Sequence, residues 1–444
     1  MTASATRTRP AGNATVPTVP PPGGPPASRT SSRGARGRAS ARPGGRLTQL
    51  GSFRLQQLVL LEIAAALLLV AWVVEPLLLV PAAVVAALLV LLALLRRHRR
   101  SLPEWLGTVF SLRARSRRAG SLLPPAGTEP GLAPVVECDP ALRTYSFSDR
   151  DRRPVGMIGD GTFVTAVLQV ESDASALRPD RSARPLPLAL VRDVLEVDGI
   201  RLESAQVVQH TQPAPAPHLP QQSVAARNYA PLQAQTGSPA VRITWVALKL
   251  DPELCPEAVQ ARGGGITGAQ KCVVRAADQL SSRLAGAGFR ATVLTEQELT
   301  SAIATSVCAS VSAMAQAGRS EAPVRRTEES SRAWRCDDRW HTTYWVARWP
   351  QFGGRGGAAM PQLVALLTSM PALATTFSLT LGHGERQGVR VTGHVRITGR
   401  SDEQLVRARH ELERTARGVK TSLVRLDREQ LPGVLATLPL GGTR

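Results

Sequence analysis

The hydrophobic pattern divides the chain into a stretch without periodicity, a stretch that is apolar all round, and a long remainder that switches between strand and helix spacing. Leu55 to Val74 and Leu77 to Leu95 are nearly unbroken apolar runs of 20 and 19 residues, parted only by Glu75-Pro76. A bilayer core needs about 20 apolar helical residues, so the pattern predicts a transmembrane helical hairpin over residues 55–95. Glu62 opposes insertion by roughly 3 kcal/mol, but the twelve Leu, Ile and Val residues of the first run each return about 0.3–0.6 kcal/mol. Pro76 and Pro81 stand at the turn and at the start of the second helix, where proline is tolerated.

Beyond the hairpin the period changes. Val155–Ile158 and Thr162–Val170 flank Gly159-Asp160-Gly161, which reads as a β-hairpin. A helix over Leu188–Val197, strands over Arg201–His210 and Val241–Leu250, and a long helix over Thr267–Gly288 follow. That helix carries Val273, Ala277, Leu280, Leu284 and Ala287 on one face, and Thr267–Gln270 has the spacing of a capping box. A strand at Phe289–Leu294 and a helix from Glu296 to about Ala309, opened by Thr295–Glu298, complete this half. The same order returns after residue 340: strand Thr342–Trp349, helix Gln362–Ser369, strands Thr375–Leu381 and Val389–Thr398, helix Ser401–Gly418, strand Thr421–Leu426 and helix Arg428–Thr437. Each half reads β-α-β-β-α-β plus a trailing helix, the order of ferredoxin-like modules. A shift of 132 positions lays Arg275-Ala276 on Arg407-Ala408, Leu280 on Leu412, Gly286 on Gly418 and Leu294 on Leu426, so an internal duplication is expected.

The expected fold class is therefore α+β, a two-helix transmembrane hairpin followed by two duplicated β-α-β-β-α-β (ferredoxin-like) modules. Its expected segments are a disordered Arg/Pro-rich tail (1–54), the hairpin (55–95), a basic juxtamembrane segment and linker (96–134), a first module (135–310), a linker (311–340) and a second module (341–444). Residues 211–240 read as a long, mobile Pro/Gln/Ala loop.

Charge fixes orientation rather than chemistry. The net +20 suits a nucleic-acid binder until it is located: residues 1–118 hold 17 Arg and 3 Glu, and the rest of the chain is nearly balanced. Positive charge crowds both ends of the hairpin, which places both flanks in the cytoplasm and leaves nucleic acid without a footprint. Five cysteines without a CxxC pair fit reduced thiols. In residues 101–118, Trp105 and Phe110 lie among arginines, as in a segment at headgroup level or in a helix continuing out of the bilayer.

The catalytic motifs are incomplete. In Arg262-Gly263-Gly264-Gly265-Ile266-Thr267-Gly268-Ala269-Gln270-Lys271 the lysine comes two residues too late for a phosphate loop. His410-Glu411-Leu412-Glu413-Arg414 lacks the second histidine of a zinc protease. Asp149-Arg150-Asp151 has the form of the metal-binding DxD of nucleotide-sugar transferases, and a membrane-anchored enzyme of that kind is the alternative reading. A solvated turn explains it as well, and the same holds for Asp337-Asp338. Trp334, Trp340, Trp345 and Trp349 gather within 16 residues. Alternation puts Trp345 and Trp349 on one strand face with Tyr344 opposite, which serves either core packing or a partner. No catalytic, cofactor-binding or metal-binding residues are assigned. The candidate partner contacts are Glu62, Trp105, Trp345 and Trp349.

From about residue 50 to its end the chain resembles the EccE family, a membrane component of type VII (ESX) secretion systems. The resemblance rests on the Arg-flanked hairpin and on Arg153-Pro154-Val155-Gly156-Met157-Ile158-Gly159-Asp160-Gly161-Thr162. It also rests on the glycine stretch from Arg262 to Gly268, on Ala287-Gly288-Phe289-Arg290-Ala291, on Thr295-Glu296-Gln297-Glu298-Leu299 and on the end from Leu426 to Pro439. The resemblance implies a non-enzymatic subunit that stabilises a plasma-membrane complex with EccB-, EccC- and EccD-like partners and membrane lipids, without cofactor or small-molecule substrate.

Overall fold

The computed structural model describes residues 47–75, 79–94, 96–97, 100–121, 123–125, 127–149, 152–172, 185–213, 241–319, 324–352, 359–385 and 388–442, with residues 224, 227 and 228. Nearly all of the expected N-terminal tail and most of the expected loop at 211–240 lie outside the described residues.

The two apolar runs form helices α1 (Leu47–Val74) and α2 (Leu79–Leu94), which contact one another. Ala64, Ala71, Ala82 and Ala86 are buried, whereas Leu69, Val70, Trp72, Val73, Val80, Val84 and Leu88 are exposed. Small residues let helix backbones approach closely, so the bulky apolar side chains are left outside. This is the inverse of a hairpin folded for water. Two full spans are not seen: among the described residues no helix is long and apolar enough to cross a membrane. α2 begins at Leu79, and its 16 residues rise about 24 Å against a hydrocarbon core about 30 Å thick. A two-residue ribbon, Arg96–Arg97 with Arg100–Ser101, leads into α3 (Leu102–Ser121).

The rest of the described chain is built on one 12-stranded sheet in which every pairing is antiparallel. In chain order the strands are β1 (Arg143–Ser148), β2 (Pro154–Gly159), β3 (Val164–Ser172), β4 (Ser204–Gln212), β5 (Val241–Leu250), β6 (Phe289–Val293), β7 (Thr327–Glu329), β8 (Trp334–Cys336), β9 (Arg339–Arg348), β10 (Ala374–His383), β11 (Val389–Gly399) and β12 (Ser422–Arg425). The sheet runs β7-β8-β9-β11-β10-β4-β5-β3-β2-β1, with β6 on the far half of β3's edge and β12 on the far half of β9's. The first half therefore contains the order β6-β3-β5-β4 and the second β12-β9-β11-β10. Numbered along the chain, both are 4-1-3-2. The halves join where β4 pairs β10, from Thr211↔Thr375 to Ser204↔Gly382. Residues 311–340, expected as a linker, carry the helix Val311–Ala317 and the hairpin β7–β8.

Helices cover both faces. On one face α4 (Leu188–Asp193), α5 (Gly265–Gly286), α7 (Met360–Thr368) and α8 (Asp402–Gly418) bury Val191, Val273, Leu280, Leu367, Leu405 and Leu412. On the other, α6 (Glu296–Val307) and α9 (Gln430–Leu435) bury Leu299, Ile303 and Val434 against Ile158, Val208 and Trp245. The stripe read at helical spacing on α5 is buried from Val273 to Leu284, whereas Ala287 lies past the helix end and is exposed. The Thr295–Glu298 capping box is formed, which fixes the start of α6. The Thr267–Gln270 box is not, because α5 starts two residues earlier on a loop in which Gly263, Gly264 and Gly265 all have positive φ, a conformation that side-chain-bearing residues rarely adopt.

Candidate functional site

Four segments bring side chains with chemistry together, and none completes a catalytic set. Lys271 turns back onto its own glycine loop, its Nζ donating to the Arg262 carbonyl at 3.1 Å. A Cβ at Gly268 would fall 2.3 Å from the Val259 carbonyl oxygen, so glycine there permits close packing of loop on helix. The Asp149 main-chain carbonyl accepts the Arg152 amide in the β1–β2 turn, and its carboxylate lies 3.7 Å from the Arg153 guanidinium. Asp151 lies outside the described residues. His410 is exposed on α8, while Glu413 accepts the Tyr344 hydroxyl at 2.7 Å and with burial pushes that phenol up. Asp337 and Asp338 form the expected turn and Asp338 is exposed, but the Asp337 carboxylate is not solvated. It is buried and accepts from Arg326 at 2.7 and 2.8 Å, beside Glu137, which takes the amides of Arg326 and Thr327 and the Thr327 hydroxyl. Burial raises the Glu137 pKa even though those donors favour the charged form. Among the described residues no three His, Cys, Asp or Glu gather as a metal site.

The candidate partner contacts separate. Glu62 is exposed on α1, and the side chain of Trp105 lies outside the described residues. Trp345 is half-buried opposite His394 on β11. Trp349 does not share its face. A register shift between Val346 and Arg348 breaks the alternation, and Trp349 lies edge-on to Phe377 and close over Gly393, within the core on the α5–α8 face. Trp334 is buried in the opposite core, and Trp340 lies under the Arg335 guanidinium.

One joint was not legible in the sequence. Glu329 on β7, almost fully buried, accepts Arg115 of α3 through both carboxylate oxygens at 2.8 and 3.0 Å and the Leu431 amide of α9 at 3.0 Å. Arg115 also donates to the Arg428 carbonyl at 2.6 Å, and Arg325 donates to the Ala119 carbonyl. A bidentate guanidinium–carboxylate pair fixes direction as well as distance. It ties the helix that follows the apolar hairpin to the second half of the sheet.

Geometry thus defines a class: an antiparallel α+β sheet protein, joined through a basic helix to an outwardly apolar helical pair. Residues 238–346 match the family model described as "EccE: Putative type VII ESX secretion system translocon, EccE". The match supports the resemblance drawn from the residues and, with it, a type VII secretion translocon component. It spans β5, α5, α6 and β9 across the junction of the two halves. No curated protein sequence matches the chain. Among solved structures, an alkyldihydroxyacetonephosphate synthase overlaps at a TM-score of 0.25 and 7% identity, covering 61% of this chain and 42% of that one. The chain spans about two fifths of that enzyme's length, and a likeness this weak carries no argument.

Proposed function

We propose that the chain is a non-enzymatic structural subunit of a type VII secretion membrane complex, stabilising assembly with EccB-, EccC- and EccD-like subunits. The family match over residues 238–346 carries this reading. In it α1 and α2 anchor the chain in the plasma membrane, with both flanks in the cytoplasm. The exposed Leu, Val and Trp side chains around a buried alanine seam support embedding in lipid or against partner helices, and the arginines on either side support the orientation. The sheet is read as two ferredoxin-like modules, 135–310 and 341–444, arising by duplication. The 4-1-3-2 strand order repeated in each half supports that reading. Glu62, whose charge is costly in an apolar setting unless a neighbour accepts it, Trp105 and Trp345 are the proposed partner contacts, while Trp349 packs against Phe377. Affinity purification of the full chain from membranes in mild detergent should recover the ATPase and channel subunits. Deleting residues 55–95 should release the protein from the membrane and abolish that recovery; equal recovery with and without the hairpin would reject the proposal.

A further inference from the structure

Where α6 ends over the second half of the sheet, a guanidinium is sealed inside the protein without a carboxylate. Arg396 on β11 has no exposed surface. One of its nitrogens, Nη2, makes all of its hydrogen bonds, to the Ser306 carbonyl, to Ser306 Oγ at 3.4 Å and to Thr376 Oγ1 at 3.3 Å. Nε and Nη1 are buried and have no acceptor. On the adjacent strand β9, Thr343 stands directly opposite Arg396 and His341 is one pair along on the same face; Thr343 Oγ1 and His341 Nε2 are likewise buried without partners. His341 Nδ1 lies 3.0 Å from Thr398 Oγ1, and Cys308 Sγ lies 3.9 Å from that same oxygen. With the thiol donating to Thr398 and Thr398 to Nδ1, the free Nε2 carries the proton. Four buried polar atoms without partners therefore lie on one face of the paired strands β9 and β11, and all four are able to donate.

Arginine stays charged in proteins, and a buried charge requires a counter-charge. The neighbouring groups do not supply one. Burial pushes the Cys308 and Cys336 thiols up, leaving them neutral, and holds His210 and His341 in their neutral forms. We infer that Arg396, Thr343 and His341 hold a small monovalent inorganic anion, of halide size, in the interior between α6 and strands β9 and β11. The site belongs to both halves, since Ser306 comes from the first and Arg396, Thr343 and His341 from the second.

The full chain in detergent, titrated with chloride against gluconate at constant ionic strength, should gain thermal stability from chloride and broaden the chloride NMR line, with bromide competing for the same site. Arg396→Met should lose both effects. His341→Phe, which removes one donor and keeps the guanidinium, should weaken chloride by about fivefold, the loss of one hydrogen bond of about 1 kcal/mol, while leaving the circular dichroism unchanged. This second variant keeps the test decisive if Arg396→Met fails to fold. Chloride and gluconate giving the same melting curve, or chloride affinity unchanged in His341→Phe, would overturn the inference and leave the space to water.

Discussion

His210 shows how a single buried side chain contributes to the acid limit of the fold, alongside His341 and His394, which burial likewise holds neutral. It is buried on β4, with Nδ1 3.0 Å from Thr376 Oγ1 and Nε2 3.3 Å from Gln212 Nε2. The amide nitrogen of Gln212 only donates, so Nε2 accepts and Nδ1 carries the proton. Burial first, and the charge of Arg396 second, hold its pKa down at about 3, against 6.5 for the free group. Above pH 6.5 neither the folded nor the unfolded chain binds a proton there, and the site contributes no pH dependence. Between 6.5 and about 3 the unfolded chain takes up a proton that the fold refuses, so stability falls with pH, by up to about 1.4 kcal/mol per unit. Glu137 works in the opposite direction, because its raised pKa favours the fold as that carboxylate protonates. Comparison with His210→Gln isolates the histidine. The variant's urea midpoint should fall less steeply than wild type between about pH 7 and pH 5, and parallel slopes would refute the assignment. Neither His210 nor Arg396 stood out in the sequence, since a polar residue on a strand reads as facing water. Only the tertiary contacts show their burial: His210 packs beside Trp245 and Thr376, and the end of α6 reaches Arg396 through Ser306.

At the scale of elements the period of apolar residues was a sound guide, and its failures have local causes. Most strand and helix positions from Val155 to Leu435 fall where the pattern put them, although the helix expected over Leu188–Val197 ends at Asp193 and Glu196–Val197 pairs back on Ile200–Arg201. Trp349 changed sides because one bulge shifts every later residue of a strand. α5 began early because three successive glycines wind the loop directly into it. The joint between α3 and the sheet escaped because Arg115 and Glu329 are 214 positions apart, and no local pattern joins them. That joint makes its own prediction. Glu329→Ala leaves Arg115 without its carboxylate, with only the Arg428 carbonyl, and the Leu431 amide without an acceptor, and should lower stability by about 2–4 kcal/mol, read from the urea midpoint. Arg115→Met combined with Glu329→Leu should recover part of the loss, because two apolar groups replace the pair instead of stranding half of it. If the double variant is as unstable as the sum of the singles, the pair does not act as a unit.

For the whole molecule, the question is whether two halves with the same strand order fold as one body. They share more than the β4–β10 ladder. α6, from the first half, reaches the second through Ser306 and Arg396. The C-terminal segment crosses back in the same manner: Gln206 of β4 donates to the Ala436 carbonyl at 2.9 Å and accepts the Gly441 amide at 2.8 Å, and Thr165 of β3 donates to the Leu440 carbonyl. Each half thus reaches into the other from its trailing segment, and Val434, Leu438 and Leu440 of the second half share a core with Val208 and Trp245 of the first. Melting one half would strand these buried groups in the other, which favours a single cooperative transition over two. Leu412→Ala, a core truncation in the second half that should cost about 2–5 kcal/mol, tests this beside Gly156→Ala in the first, where a Cβ would stand 2.4 Å from the Glu296 amide nitrogen. In calorimetry of the full chain, both variants should lower one and the same transition, with calorimetric and van't Hoff enthalpies in agreement. A scan in which Leu412→Ala moves one peak and Gly156→Ala another would show two independent domains, and the crossed segments would then be contacts without cooperative weight.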